Sequence, residues 1–422
     1  MKKTIYQLVK HPLILGSSVI FAGSMAASLL NYLFNLTMGR FLSVADYGTF
    51  ASLMSLFNIF SVFAIAIMMV FAKLSATLVG QKKEKIVGSL VIAGKKWVGL
   101  MALFICGLLA VFSYQISNFL HINSQSFIVL IVVALFFSFL TSVPQGVLQG
   151  LMKFGYLSFV NIFSSLIKLI FGILLVTIGL KTLGAIYAFF LSAIAAYLFS
   201  FLPLFKHLKV QILEDKFTLG SLHSKAYAYA IPVFLSNIGI ISLISLDIIL
   251  VKHYFSPTLA GQYAALSLMG RSIFYVVSPI ASVLFPLIAQ KKERKEQLTG
   301  TLLLSIALIV LPSIVLSFIY FFFPKMILGI FFPNSVYLSL APYLGPFSIF
   351  ILFYCMSYLL NSFYLSIGKT KVLYFTIVAA ALESVFIMFF HESIGQVIAG
   401  MIFVSFLLLF SLLIYYRNAT KA

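Results

Sequence analysis

Leu259 to Gln290 reads LAGQYAALSLMGRSIFYVVSPIASVLFPLIAQ. It is about thirty residues of nearly unbroken apolar sequence, long enough to cross a bilayer at a tilt. Arg271 stands in its middle. Counted from there in helical steps of three and four, Ala264, Ser267, Arg271, Tyr275, Ser278 and Ser282 share one face. That face is small and polar; the others are Leu, Ile, Val and Phe. A guanidinium at mid-membrane costs about 2.5–3.5 kcal/mol on insertion scales unless it meets water or a counter-charge. The helix is therefore predicted to turn Arg271 toward a cavity or a partner, never toward lipid.

The rest of the chain is of the same kind. Of 422 residues, 62% are apolar and 9% charged, against about 25% charged in soluble domains, and the mean hydropathy is +1.14. These values predict an all-α integral membrane protein. Cys106 and Cys355 both lie inside apolar runs, which argues against a disulfide or a metal site. A net charge of +19 would suit nucleic acid, but its placement points to membrane orientation instead.

Twelve apolar segments long enough to span are legible, near 12–38, 47–76, 92–114, 124–148, 156–178, 184–204, 226–251, 259–289, 298–323, 338–365, 372–390 and 394–415. Alternate loops hold most of the basic residues. These are Lys82, Lys83 and Lys85 (with Lys95 and Lys96 entering the next span), Lys153, then Lys206, Lys209, Lys216 and Lys225. Lys291, Lys292, Arg294, Lys295, Lys369 and Lys371 continue the series. The other side carries Arg40, Lys181, Lys252 and Lys325. By the positive-inside rule both termini face the cytoplasm. The hydrophobic stretch after Lys2-Lys3 is too long for a cleaved signal peptide and reads as a retained first span.

The chain also repeats. Ser43-Val-Ala-Asp-Tyr-Gly-Thr-Phe-Ala51 aligns with Ser256-Pro-Thr-Leu-Ala-Gly-Gln-Tyr-Ala264, and Lys83-Glu-Lys-Ile-Val-Gly-Ser-Leu90 with Lys295-Glu-Gln-Leu-Thr-Gly-Thr-Leu302. The turn at Lys153 matches the turn at Lys369. All three pairings share an offset of about 212–216 residues, a concordance that chance seldom gives. Six spans separate the equivalents, so the halves, 1–210 and 211–422, run parallel as two six-helix bundles. Repeats of this kind are a transporter architecture, with the substrate site between halves near mid-membrane.

Three ionisable residues sit at a similar depth: Lys168 in the fifth span, Arg271 in the eighth and Glu383 in the eleventh. Lys168 and Glu383 are near-equivalents in the repeat. Lys168 shares its face with Asn161, Ser165 and Gly172, and Asp247 lies toward the outer end of the seventh span near the face of Ser236 and Gly239. The first span carries Ser17, Ser24, Ser28, Asn31 and Asn35 and ends at Arg40. Five helices thus aim polar groups at one water-filled cavity. Structural pairs, Lys168–Glu383 or Arg271–Asp247, would satisfy the same cost argument. Glycines and serines on these faces also serve close helix packing.

Enzymatic signatures are missing: there is no His-Glu-x-x-His, no P-loop and no Gly-x-Ser-x-Gly. No long external loop offers catalytic carboxylates, and Asp46 is read as a cap on the second helix. An enzyme is not expected.

Gly39-Arg-Phe-Leu-Ser-Val-Ala-Asp-Tyr-Gly-Thr-Phe50, its echo at Ser256–Tyr263, the Arg271 helix running to Leu284-Phe-Pro286 and the Gly150–Tyr156 turn together resemble the polysaccharide transporter family. These are the Wzx-like oligosaccharide flippases of the MATE-like MOP superfamily, and the resemblance covers essentially the whole chain. It implies a MATE-like fold of twelve transmembrane helices in the bacterial cytoplasmic membrane. It also implies turnover of an undecaprenyl-pyrophosphate-linked oligosaccharide by alternating access, among membrane lipids and beside polysaccharide polymerase machinery, with no nucleic-acid partner and no cofactor. On this reading Arg271 forks onto phosphate oxygens with Lys168 as a second point charge. Arg40, Asn31, Asn35, Asn161, Ser267 and Tyr275 complete the substrate site. Glu383 and Asp247 are the candidates for coupling to H⁺ or Na⁺. The alternative is a MATE-type cation-coupled exporter of small molecules, although the coupling carboxylates of those exporters find no convincing match here.

Overall fold

The computed structural model describes residues 12–81, 86–205, 223–293 and 297–419. Lys82, Lys83, Lys85, Lys206, Lys209, Lys216, Arg294, Lys295 and both chain ends lie outside them, as do the side chains of Ser17, Lys225, Ser282, Lys291 and Lys292. No strand occurs among the described residues.

The first half contains α1 (Pro12–Phe41), α2 (Val44–Gly80), α3 (Val87–Val111), a short α4 (Ser113–Phe119), α5 (Gln125–Gly150), α6 (Phe154–Leu175) and α7 (Lys181–Phe201). The second contains α8 (His223–Ser242), α9 (Leu246–Tyr254), α10 (Pro257–Glu293), α11 (Thr299–Phe322), a short α12 (Pro324–Phe331), α13 (Ala341–Ser366), α14 (Val372–Phe389) and α15 (Ile394–Ala419). Each of the twelve apolar segments is helical. At two places the chain departs from the expected single rod or clean break. The seventh span is split into α8 and α9, which meet at 44°. The fifth and sixth are joined by a wide turn at Val176–Leu180, where Gly179 reverses the chain at φ 97°, a value that costs glycine nothing.

The repeat is visible in hydrogen bonds as well as in letters. Ser43 Oγ accepts from Asp46 N (3.1 Å) at the start of α2, and Ser256 Oγ accepts from Leu259 N (3.3 Å) at the start of α10. Asp46, expected as the cap of the second helix, instead sits one turn in: its carboxylate accepts from the Ser43 hydroxyl at 2.7 Å and braces the cap that Ser43 makes. The basic turns match too. Met152 (φ 57°) and Gly368 (φ 75°) take the left-handed position. The next residue in each, Lys153 or Lys369, donates its N–H five residues back, to Leu148 O or Tyr364 O, both at 2.9 Å. That is the helix-ending geometry of a Schellman turn.

Within the halves α2 packs on α5, α1 on α6, α10 on α13 and α13 on α15. Between them α10 packs on α1 and α2, and α8 on α2. One apolar core runs through residues from Leu53 to Leu204, with Ile249 reaching in from the second half. The other fills the second half and takes in Phe34, Met38, Tyr47 and Phe50 from the ends of α1 and α2 farthest from the basic turns. The halves are therefore fused at that end. A close approach between them explains the repeated motif: Gly48 of α2 lies against Gly261 of α10, and a Cβ on Gly48 would sit 2.7 Å from Gly261 N. The two glycines are equivalents in the repeat, and only residues without a Cβ let the two backbones cross there.

Candidate functional site

Below that crossing, toward the basic turns, α1, α2, α6 and α10 part and leave a cavity of about 330 Å³. The face foreseen on α10 lines it: Ala264, Ser267, Arg271, Tyr275 and Ser278. Asn31 and Asn35 enter from α1, Ser55 and Asn58 from α2, Lys168 from α6 and Phe189 from α7. Asn31 and Lys168 also wall a second chamber, of about 320 Å³ and inside the first half, lined by Ser24, Asn161, Ser164, Ser165 and Ser192. A further recess of about 380 Å³ adds Ser138, Thr141 and Gln145. No carboxylate lines any of the three among the described residues.

Arg271 and Lys168 are held in different ways. Arg271 Nη2 donates to both carboxylate oxygens of Asp247, at 2.8 and 2.6 Å. Asp247 is fully buried behind it, in the first turn of α9, and also accepts from Tyr263 Oη at 2.8 Å. The break at residues 243–245 turns Asp247 toward α10 rather than along the Ser236 and Gly239 face expected for it. Those two pack elsewhere: Ser236 Oγ donates to Asn361 Oδ1 at 2.6 Å, and Gly239 abuts Thr376 of α14. Asp247 occupies only one nitrogen of the guanidinium, and Arg271 Nε is buried with no acceptor. Ser267 Oγ, one turn earlier on the same face, is also buried and unpartnered. Two donors at the cavity wall thus have no acceptor among the described residues.

Lys168 has no acidic neighbour in bonding distance among the described residues. Its Nζ donates to Asn31 Oδ1 and lies 5.1 and 5.4 Å from the ring centres of Phe34 and Phe189, a cation–π setting. Asn31 Nδ2 in turn donates to Ser165 Oγ at 3.2 Å, and Asn35 Nδ2 to Asn31 O at 2.8 Å. Gly172, on the Lys168 face, is a packing residue against Phe34. The wall thus carries one neutralised cation and one that is not.

Of the residues expected to meet substrate, Arg271, Lys168, Asn31, Asn35, Ser267 and Tyr275 border the cavity and Asn161 the adjoining chamber. Arg40 does not. It is exposed at the fused end and donates to main-chain carbonyls of α12, so its place in the substrate site is withdrawn. Glu383 is buried on α14, does not border the cavity, and neither carboxylate oxygen has a partner among the described residues. Of the two pairs weighed from sequence, Arg271–Asp247 forms and Lys168–Glu383 does not. Asn58, Ser164 and Ser192 were not singled out; Asn161, Ser164 and Lys168 are at helical spacing and could have been read together.

The profile of a family described as polysaccharide biosynthesis protein matches residues 37–335. No curated protein matches in sequence. Among solved structures, a multidrug resistance MATE family transporter of the MOP superfamily in an inward-facing conformation aligns with TM-score 0.75 at 12% identity, over 96% of this chain and 99% of that one. The eukaryotic MATE transporter AtDTX14 gives 0.71 at 14%, covering 97% of both chains. An outward-facing multidrug resistance MATE family transporter gives 0.65 at 15%, covering 98% of both. The fold is that of the MATE transporters: multi-pass, all-helical, in two parallel six-helix repeats.

Proposed function

Since the chain belongs to the polysaccharide biosynthesis protein family, we propose that it is a flippase for a polyprenyl-pyrophosphate-linked oligosaccharide. It carries that cargo from the cytoplasmic to the outer leaflet of the bacterial cytoplasmic membrane. The observation that carries this reading is the cavity wall, where Arg271 and Lys168 face one space bordered by serines and asparagines and by no carboxylate. A pyrophosphate supplies acceptors for the two orphaned donors, Arg271 Nε and Ser267 Oγ, and an anion for Lys168. The hydroxyl-rich chamber beyond Lys168 suits a glycan, which needs many weak polar contacts. The polyprenyl tail stays in lipid.

An exporter of cationic drugs would want the opposite wall, with acids facing the space. With the basic turns placed in the cytoplasm, the cavity lies on the inner side of the glycine crossing. Alternating access then consists of rocking the halves about their shared face. Glu383 and Asp247 remain the candidates for a coupling H⁺ or Na⁺.

The test uses purified protein in liposomes with a fluorescent polyprenyl-pyrophosphate oligosaccharide and a membrane-impermeant quencher. Wild-type protein is expected to make both leaflets accessible, and Arg271→Met with Lys168→Met to stop this. Equal rates for the two proteins, or cation-driven dye transport with no movement of the lipid, would overturn the proposal.

A further inference from the structure

The fused end contains one contact made twice. Helices leave their last carbonyls without intrahelical donors. At the end of α4, in the first half, the Phe119 carbonyl accepts from His253 Nδ1 at 2.7 Å; His253 stands in the last turn of α9, in the second half. At the end of α12, in the second half, the Phe331 and Ile330 carbonyls accept from Arg40 Nε at 2.8 Å and Nη2 at 2.5 Å. Arg40 stands in the last turn of α1, in the first half.

These four elements are equivalents in pairs. The short helices α4 and α12 follow the third and ninth spans, and Arg40 and His253 end the first and seventh. Arg40 and His253 are about 213 residues apart, and Phe119 and Phe331 about 212, the period of the repeat itself. Each contact has an aromatic seat. The His253 ring lies flat on Phe119, 4.0 Å between centres and 8° between planes. Phe332 lies under Gly39 and against Tyr47, 6.3 Å between rings. Neither Arg40 nor His253 lines the cavity, although Tyr47 of the Arg40 seat does.

We propose that Arg40 and His253 are reciprocal positioning residues. Each caps the short helix of the opposite half, the two together hold this end shut, and transport requires both to let go in the same step. The bonds are made at the exposed surface, where the freed carbonyls and donors meet water as the halves part, so the closure is reversible. The inference rests on the proposed alternating access but not on the nature of the cargo.

The experiment is labelling of a single cysteine, Ala264→Cys, at the cavity wall just below the seal, with Cys106 and Cys355 replaced. A membrane-impermeant maleimide is added from the side of the fused end, to protein in oriented vesicles. Arg40→Ala with His253→Ala should raise the labelling rate about tenfold over the parent, the effect expected for losing hydrogen bonds of this class. Each single change should give about the square root of that, while Arg40→Lys and His253→Gln, which keep a donor, should stay nearer the parent. Equal rates in the parent and the double variant overturn the proposal. If the double variant does not reach the membrane, parental rates in both single variants do the same. Since no lipid-linked glycan is present, this outcome is independent of whether the flippase reading stands.

Discussion

The Arg271–Asp247 pair separates a structural role from a functional one, because its members are unequally buried. The Asp247 side chain has no exposure, whereas Arg271 keeps 13% on the cavity side. Arg271→Met therefore strands a charged carboxylate with only Tyr263 Oη to bond it, and a broken buried pair of this kind costs about 3–5 kcal/mol. Asp247→Asn strands the guanidinium beside a wet cavity and preserves an acceptor for Tyr263, so its cost should be nearer 1–3 kcal/mol. The double variant carries no stranded charge, and replacing both members of such a pair by neutral groups is often close to neutral. In detergent, the melting temperature should thus fall most for Arg271→Met, less for Asp247→Asn, and recover most of the loss in the double variant. Lipid-linked oligosaccharide flipping, measured with no ion gradient so that a coupling role of Asp247 is not read, should follow a different order: largely kept in Asp247→Asn, lost in Arg271→Met, and still lost in the double variant despite its recovered stability. A double variant that flips at the wild-type rate would reduce Arg271 to a packing partner. Equal destabilisation by the two single changes would refute the burial argument itself.

Lys168→Met should abolish flipping with little change in melting temperature, since no buried acid loses its counter-ion, and Lys168→Arg should keep part of the activity; reconstituted flipping beside a melting curve checks both. Glu383→Gln should leave the protein as stable or more so, because neither carboxylate oxygen has a donor to lose among the described residues; a drop in melting temperature would show that the acid is paired. Gly261→Ala puts a Cβ onto the Val44 carbonyl, a backbone atom that cannot yield, whereas Gly107→Ala meets nothing within 4 Å. The first should destabilise by about 1–3 kcal/mol or more and the second should stabilise by about 0.5–1 kcal/mol, read as opposite shifts of melting temperature.

The sequence carried the membrane class, the spans and the doubling of the chain because these rest on period and bulk, which survive without tertiary contacts. The polar face of α10 was legible for the same reason: lipid penalises Arg271 so heavily that its neighbours at helical spacing had to face inward with it. Asp247 was misplaced because a helix count assumes an unbroken helix, and the break at 243–245 rotates everything after it. Arg40 was drawn into the site by its charge and its place at the end of a polar stripe. Only the position of α12, set by chain some 290 residues away, reveals it as a cap. Lys168 and Glu383 sit at matching depths but face different interiors, a difference created by packing rather than by spacing.

The crossing of Gly48 over Gly261 has a further consequence, for where such a molecule comes from. In a parallel pair of identical chains, a residue on the two-fold axis meets its own copy, and every off-axis contact occurs twice with the partners exchanged. The joint between the halves has both properties, a glycine on its counterpart and a cap traded for a cap. It is therefore the joint that a single six-helix ancestor would make by associating with itself, before duplication and fusion put both copies on one chain. Cutting the peptide between the halves, within residues 206–222, and producing the pieces together should restore a working protein through this joint alone. Pieces that reach the membrane yet stay apart would mean that the tether, rather than the old symmetry, now holds the molecule together.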